Sequence, residues 1–212
     1  MPVLLSKNAD VQLINEFSEV ILVDKTASVY DTVSCHPDIY YCRLPGSDVF
    51  SAFPGEIGEK YPQNIGFNAV CLDKYFIHNL KYTNLRLLEY VKKLGLIPIN
   101  VKQGYTKCSC VVVDGSSIIT ADEGIYAVLS AISDIDVLKI SEGHVLLSGF
   151  DYGFLGGASG RVVDTLYFHG DITKHPDYSL ISDFVLSRNI KMKWFDFPLT
   201  DIGSIIEFNS KI

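Results

Sequence analysis

The stretch Cys108-Ser-Cys-Val-Val-Val-Asp114, followed by Ser116-Ser-Ile-Ile-Thr120, predicts two apolar strands joined by a tight turn. An aspartate suits such a turn because its side chain can hydrogen-bond the turn backbone and tolerates unusual backbone angles. The same pattern occurs on either side, in Asn68–His78 and in Gly160–His169. The turn aspartates recur after 41 and then 50 residues, and a period of this size indicates a repeated supersecondary unit.

Each of these hairpins is followed by a segment with helical periodicity, a polar first residue and then another apolar strand. The predicted helices are Leu85–Leu94, Glu123–Ser133 and Tyr178–Arg188. The predicted strands after them are Leu96–Val101, Val137–Ile140 and Ile190–Phe195. The repeated unit is therefore strand, turn, strand, helix and strand.

The remaining sequence supplies two more such units. We predict a short helix at Asp10–Glu19, a strand at Glu19–Asp24 and a hairpin formed by Asp38–Leu44 and Asp48–Phe53. Gly203–Phe208 lacks a following helix, whereas the sequence starts with one. We therefore predict one domain over residues 1–212 in which the N- and C-terminal segments share a unit.

Composition and charge indicate which partners and which cellular compartment to expect. The formal charge of −7 repels phosphate backbones, so we expect no nucleic-acid partner. The sequence lacks an apolar stretch long enough to cross a bilayer and the pattern of a secretion signal, so we expect a cytoplasmic protein without a membrane partner. Five cysteines without a CxxC pair are most simply reduced thiols. Trp194 is interpreted as core or as a subunit contact, which leaves a homodimer open.

Five such units in a chain of this length resemble the pentein superfold, an α/β propeller of five blades around a central channel. Four segments carry a narrower resemblance to a clostridial-type branch of that superfold: Gln103-Gly-Tyr-Thr-Lys-Cys108, Ile119-Thr-Ala-Asp-Glu-Gly-Ile125, Gly153-Phe-Leu-Gly-Gly-Ala-Ser-Gly160 and Phe168-His-Gly-Asp171. The resemblance implies a guanidino-group-modifying (amidinotransferase-like) architecture, with the terminal segments sharing one blade.

Enzymes of that superfold use a nucleophilic Cys, a His in an H-x-D motif, acids that hold a guanidinium, and a Gly-Gly pair beside one acid. A guanidinium carbon is a poor electrophile, so its attack needs a thiolate and carboxylates that hold the cation. A His then protonates the leaving amine and activates water. The resemblance thus implies a Cys-dependent hydrolase or transferase.

The catalytic candidates are Cys108, His36 and Asp38. His36-Pro37-Asp38 matches H-x-D, and the alternative for His36 is a turn residue before a proline. Cys108 follows Lys107, a cation that we expect to depress the thiol pKa. The alternative is a buried structural cysteine. Cys35 is a second candidate nucleophile, whereas Cys110, Cys42 and Cys71 are interpreted as packing residues.

The candidate ligand-binding residues are spread along the chain: Asp122, Asp171, Gly156, Gly157, Asn68 and His169. Asp122 either binds the substrate through its carboxylate or caps a helix. Asp171 is the preferred candidate for a carboxylate that binds the ligand. Gly156-Gly157 either cradles a ligand or permits close backbone approach. His169-Gly170-Asp171 is a second H-x-D match. Asp201 is a further channel acid.

This sequence departs from the family enzymes in two respects. The Gly156-Gly157 pair is flanked by Leu155 and Ala158, not by acids. The enzymes' Cys comes in the last repeat, whereas here the corresponding position, after rotation of the repeat order, holds Asn68. Two hypotheses follow: a Cys-dependent enzyme acting on a small cationic guanidino or amino compound, and a non-catalytic pentein that binds a small ligand or a protein. Neither needs a cofactor, and we predict no metal. His169-x-Asp171-x₃-His175 is a weak alternative metal motif.

Overall fold

The fold is a mixed α/β arrangement of small sheets. The structure is a computed structural model that describes residues 2–25 and 29–209. Within these residues, four sheets have three strands and a fifth has two, which confirms the predicted α/β class. None of the helices in the described ranges is long and apolar enough to cross a bilayer.

The regular elements are short. The strands are β1 (Val3–Ser6), β2 (Val20–Val23), β3 (Tyr41–Arg43), β4 (Val49–Ser51), β5 (Val70–Cys71), β6 (Tyr75–His78), β7 (Ile97–Asn100), β8 (Cys110–Val112), β9 (Ser117–Thr120), β10 (Asp136–Lys139), β11 (Ser159–Val162), β12 (Thr165–Phe168), β13 (Lys191–Lys193) and β14 (Ile206–Glu207). The helices are α1 (Val11–Ile14), α2 (Pro37–Tyr40), α3 (Leu85–Lys93), α4 (Glu123–Leu129) and α5 (Tyr178–Leu186). Three-residue 3₁₀ turns lie at Asp31–Val33, Pro45–Ser47 and Ile172–Lys174.

Four sheets share one topology. In β5–β7, β8–β10 and β11–β13, an antiparallel hairpin is followed by a helix and then by a parallel strand. The fourth sheet has the order β14-β1-β2, with β14 antiparallel and β2 parallel to β1. Its β14 comes from the C-terminal segment, so both ends of the described chain contribute to one sheet. The fifth sheet is the β3–β4 hairpin.

The helices form because one stripe of each is apolar and its first turn is capped. In α3, the Asn84 side chain accepts hydrogen bonds from the backbone N–H groups of Arg86 and Leu87, which would otherwise lack a partner. Leu87 and Val91, one turn apart, are fully buried. Burial of each such side chain contributes about 1.5–3 kcal/mol. The matched pairs in α4 and α5 are Ile125 with Leu129 and Ile181 with Val185.

Two helices are shorter than the sequence predicted. The helix predicted at Asp10–Glu19 has only the four residues of α1, and Phe17, beyond its end, packs edge-on against Tyr167. The helix predicted to reach Ser133 ends at Leu129. The strand β1 was not predicted.

One strand of each sheet lines a common cavity of about 210 Å³, called the channel cavity here. The lining strands are β3, β5, β8, β11 and β14, which contribute Tyr41, Cys71, Val112, Gly160 and Ile206. The side chain of Lys107 also lines this cavity. The five sheets therefore face one shared space.

The residues just before these strands are linked by hydrogen bonds. The side-chain amide of Asn68 donates to the Asp38 carbonyl oxygen at 3.2 Å, and the Asn68 carbonyl oxygen accepts from Lys107 N at 3.1 Å. The next carbonyl, of Cys108, accepts from Gly157 N at 2.9 Å.

These links return to their starting residue. The Gly157 carbonyl oxygen accepts from Ser204 N at 2.7 Å, and the Gly203 carbonyl oxygen accepts from Asp38 N at 3.1 Å. Together the bonds form a circuit through the segments that enter all five lining strands. We call it the entry circuit; it joins Asp38, Asn68, Cys108, Gly157 and Ser204.

Candidate functional site

The three catalytic candidates meet at the entry circuit. One donor atom from each of His36, Asp38 and Cys108 lies within 4.8 Å of the other two. The Cys108 thiol donates to Asp38 Oδ2 at 3.0 Å. All three residues are buried, and Asp38 is fully inaccessible. In the sequence Cys108 follows His36 by 72 residues and Asp38 by 70, and the fold brings the three together.

The local structure around His36 differs from the prediction. The sequence placed His36 and Asp38 in the first strand of a hairpin, but Pro37–Tyr40 forms the helical turn α2 and His36 is its N-cap residue. The physical reason is Pro37, whose fixed φ suits the first position of a helix. The turn directs the Asp38 backbone N–H at Gly203 and its carboxyl group at Cys108.

Asn68 holds the thiol from the opposite side. Its amide nitrogen donates to Cys108 Sγ at 3.3 Å, and its amide oxygen accepts from the backbone N–H groups of Lys107 and Cys108 at 2.8 and 3.2 Å. Asn68 is fully buried. The predicted ligand residue Asn68 is thus a neighbour of the sulfur, and it fixes the loop that carries it.

Ser204 and Lys107 extend the cluster toward the channel cavity. The Ser204 hydroxyl donates to Asp38 Oδ2 at 2.6 Å, and the Lys107 ammonium donates to Ser204 Oγ at 2.9 Å and to the Gly156 carbonyl oxygen at 3.1 Å. Ser204 has a φ of 78°, a left-handed backbone conformation that is costly for a residue with a Cβ. Sequence analysis missed Ser204, because no local motif marks it.

Asp201 is the second buried carboxylate of the cluster. It accepts hydrogen bonds from Phe154 N at 3.0 Å and from Gly203 N at 2.9 Å, and its Oδ1 lies 3.8 Å from His36 Nδ1. A Cβ on Gly157 would overlap this carboxylate, so the glycine permits the close approach. In the sequence the Gly-Gly pair lacks an acidic neighbour, and the fold supplies one.

Burial sets the protonation of the cluster. It raises the pKa of Asp201 to about 6 and, together with the neighbouring Asp38 and Asp201 carboxylates, raises the pKa of Cys108 well above its ordinary range. It also raises the pKa of Asp38 and lowers those of His36 and Lys107. Every group is thus biased toward its neutral form.

This result corrects one expectation. We expected Lys107 to depress the pKa of the Cys108 thiol, but desolvation and the two carboxylates outweigh it. The Lys107 ammonium is directed at Ser204 and Gly156 instead of at the sulfur. In the free protein, Cys108 is a protonated thiol at neutral pH.

The side chains of the predicted ligand residues Asp122, Asp171 and His169 are hydrogen-bonded within the protein. Asp122 caps α4 by accepting from Ile125 N, and it also accepts from Gln103 Nε2. Asp171 accepts hydrogen bonds from Thr173. His169 accepts from the backbone N–H of Asp10 and lies 3.0 Å from the Thr200 carbonyl oxygen. These contacts account for all three side chains without a ligand.

The remaining predicted residues lie within or beside the cluster. Gly156 packs against the carbonyl oxygens of Cys108 and Cys110, which leaves no room for a Cβ. Close backbone approach therefore occurs at Gly156, whereas the close neighbour of Gly157 is the Asp201 side chain. Cys110 is fully buried, and burial raises its pKa to about 12. Cys35, the second candidate nucleophile, lies 3.9 Å from an Asp24 carboxylate oxygen.

A second cavity of about 200 Å³ lies beside β9 and α4. Its polar lining includes Gln103, Ser109, Asp122, Tyr152 and His175. Asp122 and Lys107 therefore line different cavities. The weak metal motif is not assembled: within residues 2–25 and 29–209, the group of three metal-ligating side chains is His36, Asp38 and Cys108.

Residues 47–206 match a protein family described as a family of unknown function, DUF6873. The chain belongs to this family. The match includes Asn68, Cys108, Asp201 and Ser204, and it begins after His36 and Asp38. No curated protein and no solved structure matches the chain.

Proposed function

We propose that the chain is a five-bladed pentein in which the entry circuit surrounds a site for a small guanidino or amino cation. The closed hydrogen-bond circuit and the common topology of four sheets support the propeller architecture. The pairing of β14 with β1 supports a blade shared by the terminal segments. These features also support treating the chain as a single domain.

The observation that carries the function is the meeting of Cys108, His36 and Asp38 beside Asp201. Two buried carboxyl groups can hold one cation, because a positive charge between them favours their ionised forms. The same positive charge lowers the pKa of the neighbouring thiol. A bound guanidinium would therefore generate the thiolate that the free site disfavours.

The proposed reaction follows from this arrangement. The Cys108 thiol gives its proton to Asp38 Oδ2, its hydrogen-bond acceptor, and sulfur attacks the guanidinium carbon. The carbon–nitrogen bond breaks, and the proton taken up by Asp38 passes through the neighbouring His36 ring to the leaving amine. Water then attacks the thiouronium carbon in a hydrolase, and an acceptor amine attacks it in a transferase. Either attack releases the Cys108 sulfur.

Access to the site requires side-chain movement, since Cys108 is only 3% exposed. Lys107 lines the channel cavity and its flexible side chain contacts the cluster through Ser204. We infer that the cationic substrate enters from the channel cavity and displaces the Lys107 ammonium.

The second candidate function is a non-catalytic binding module. The observation that favours it is the buried, protonated state of Cys108, together with Asn68 as the hydrogen-bond donor to the sulfur. A module of this kind would bind a cation through Asp38 and Asp201 without forming a covalent bond. The two functions differ in whether Cys108 is needed for turnover.

The test is a turnover screen with guanidino compounds, such as arginine, agmatine and N-methylated arginines, measuring release of ammonia or amine. We expect turnover by the wild type and its loss, by at least about a thousandfold, in Cys108→Ser. Cys71→Ser is the matched control and should keep turnover. Binding of a guanidino compound without turnover would favour the module, and equal turnover by Cys108→Ser would refute the enzyme proposal.

A further inference from the structure

Two polar atoms in the cluster are buried without a hydrogen-bond partner. They are His36 Nδ1 and Asp38 Oδ1, and they belong to a group of five such side-chain atoms in the described residues. A buried polar atom without a partner costs about 1–3 kcal/mol, so proteins satisfy nearly all of them. Two unsatisfied polar atoms beside one thiol indicate that something other than protein completes this cluster.

The donor set identifies the chemistry of that missing partner. His36 supplies a nitrogen, Asp38 an oxygen and Cys108 a sulfur, all within 4.8 Å of one another. Imidazole, carboxylate and thiolate together suit Zn²⁺, whereas Mg²⁺ and Ca²⁺ require mainly oxygen ligands. We propose that His36, Asp38 and Cys108 bind one Zn²⁺ ion, with a fourth position open.

Zinc binding requires the three ligand atoms to change their spacing from within 4.8 Å to that of a metal site. Bonds of about 2.0–2.3 Å place the ligands of a tetrahedral zinc about 3.3–3.8 Å apart. Cys108 Sγ and Asp38 Oδ2 are already 3.0 Å apart, joined by the thiol proton. Zinc replaces that proton: the S–H bond breaks, a sulfur–zinc bond forms, and the proton passes to solvent.

Neighbouring side chains already orient two of the ligands. Asn68 donates to the Cys108 sulfur, and Ser204 donates to the Asp38 carboxylate. Such outer contacts are typical of metal sites because they fix the ligand orientation. The Lys107 side-chain nitrogen donates to Ser204 Oγ and to the Gly156 carbonyl oxygen rather than to any of the three ligands.

This proposal does not depend on the proposed function. The sequence predicted no metal, and the pair of unsatisfied atoms is visible only in the fold. If Cys108 is a nucleophile, bound zinc would occupy its sulfur and block the reaction. A zinc ion and a cationic substrate would then exclude each other at Asp38.

Titration of chelator-treated wild-type protein with Co²⁺ and then with Zn²⁺ tests the site. We expect one Co²⁺ per chain, with the near-ultraviolet charge-transfer band of a thiolate–cobalt bond and the visible bands of tetrahedral cobalt, both removed by Zn²⁺. Cys108→Ser should abolish the charge-transfer band. His36→Gln and Asp38→Asn should weaken Zn²⁺ affinity by about 10–100-fold, measured by competition with a chromophoric chelator.

The matched controls are Cys71→Ser and His144→Gln, which change the same residue types outside the cluster. Both should bind Zn²⁺ like the wild type. An assay without variants adds a check: one equivalent of Zn²⁺ should protect Cys108 from alkylation, located by mass spectrometry. The proposal would be overturned if the thiolate–cobalt band persisted in Cys108→Ser or if the controls lost as much Zn²⁺ affinity as the cluster variants. Alkylation of Cys108 at an unchanged rate with Zn²⁺ present would also overturn it.

Discussion

Glu56 and Asp38 are two carboxylates that differ in how completely their oxygen atoms are used. Glu56 holds Arg86 with two hydrogen bonds, from Nε at 3.1 Å and from Nη2 at 2.8 Å, and it also accepts from Asn84 and from Phe53 N. The Arg86 guanidinium lies over the rings of Phe50 and Phe53.

Asp38 has the opposite character. One of its oxygens accepts from Cys108 and Ser204, and the other has no partner. Hydrogen bonds from Arg86 lower the pKa of Glu56 to about 2, whereas burial raises the pKa of Asp38. The comparison teaches what each state looks like: Glu56 is a filled guanidinium site, and Asp38 is a site that still has capacity for a positive partner.

The largest expected effect is a pH dependence of the free energy of unfolding that arises at Asp201, in the cluster that contains Asp38. Because burial raises the folded-state pKa of Asp201 from 3.8 to about 6, the folded protein binds this proton more tightly than the unfolded chain. Its contribution is fully present below about pH 4 and is lost as the pH rises through 6, a change on the order of 2–3 kcal/mol. Asp201→Asn should remove this slope.

The measurement is the free energy of unfolding of wild type and Asp201→Asn between pH 4 and pH 8, from urea denaturation. The difference between the two proteins should change across this range in favour of the variant. If the free energies of unfolding of the two proteins changed in parallel with pH, Asp201 would ionise as it does in the unfolded chain. The cluster would then not be desolvated.

A smaller effect should separate Glu56 from Asp38 by substitution. Glu56→Gln leaves the Arg86 guanidinium without its charged partner and should cost about 1 kcal/mol at neutral pH. Because the pKa of Glu56 is depressed, this cost should be complete above about pH 4.5 and disappear as the pH falls toward 2.

Asp38→Asn is the comparison variant. Its amide oxygen can still accept from Ser204 and Cys108, so we expect its loss of stability at neutral pH to be smaller than that of Glu56→Gln. Denaturation curves for both variants at pH 7 decide the point. A larger loss for Asp38→Asn than for Glu56→Gln would mean that Asp38 serves the fold, and the comparison would fail.

The repeated part of the fold could be predicted from the sequence because its signals are local. An apolar run, a turn aspartate and a second apolar run specify a hairpin, as at Cys108–Thr120, and a capped apolar stripe specifies α3. Pro37–Tyr40 was predicted as part of a strand, because one helical turn is too short to show helical periodicity. The strand β1 was missed because its pairing partners, Val20–Val23 and Ile206–Glu207, are distant.

The cluster could be predicted only in part. Cys108, His36 and Asp38 were predicted from residue chemistry and a three-residue motif, both of which can be recognised in the sequence. Ser204 and the approach of Asp201 to Gly157 depend on closure between distant segments, so no local pattern reveals them. The direction of the Cys108 pKa could not be inferred from its neighbour Lys107, because burial decides it.

The central claim is that Cys108 lies in a site built for a cation, and paired alkylation tests it most directly. Chloroacetamidine is cationic, chloroacetamide is its neutral counterpart, and labelling of each cysteine is followed by mass spectrometry. The ratio of cationic to neutral rate at Cys108 should exceed that of free cysteine by about tenfold or more, a preference of about 1.4 kcal/mol, and should fall in Asp38→Asn. A ratio at Cys108 equal to that of free cysteine, and unchanged in Asp38→Asn, would contradict the account.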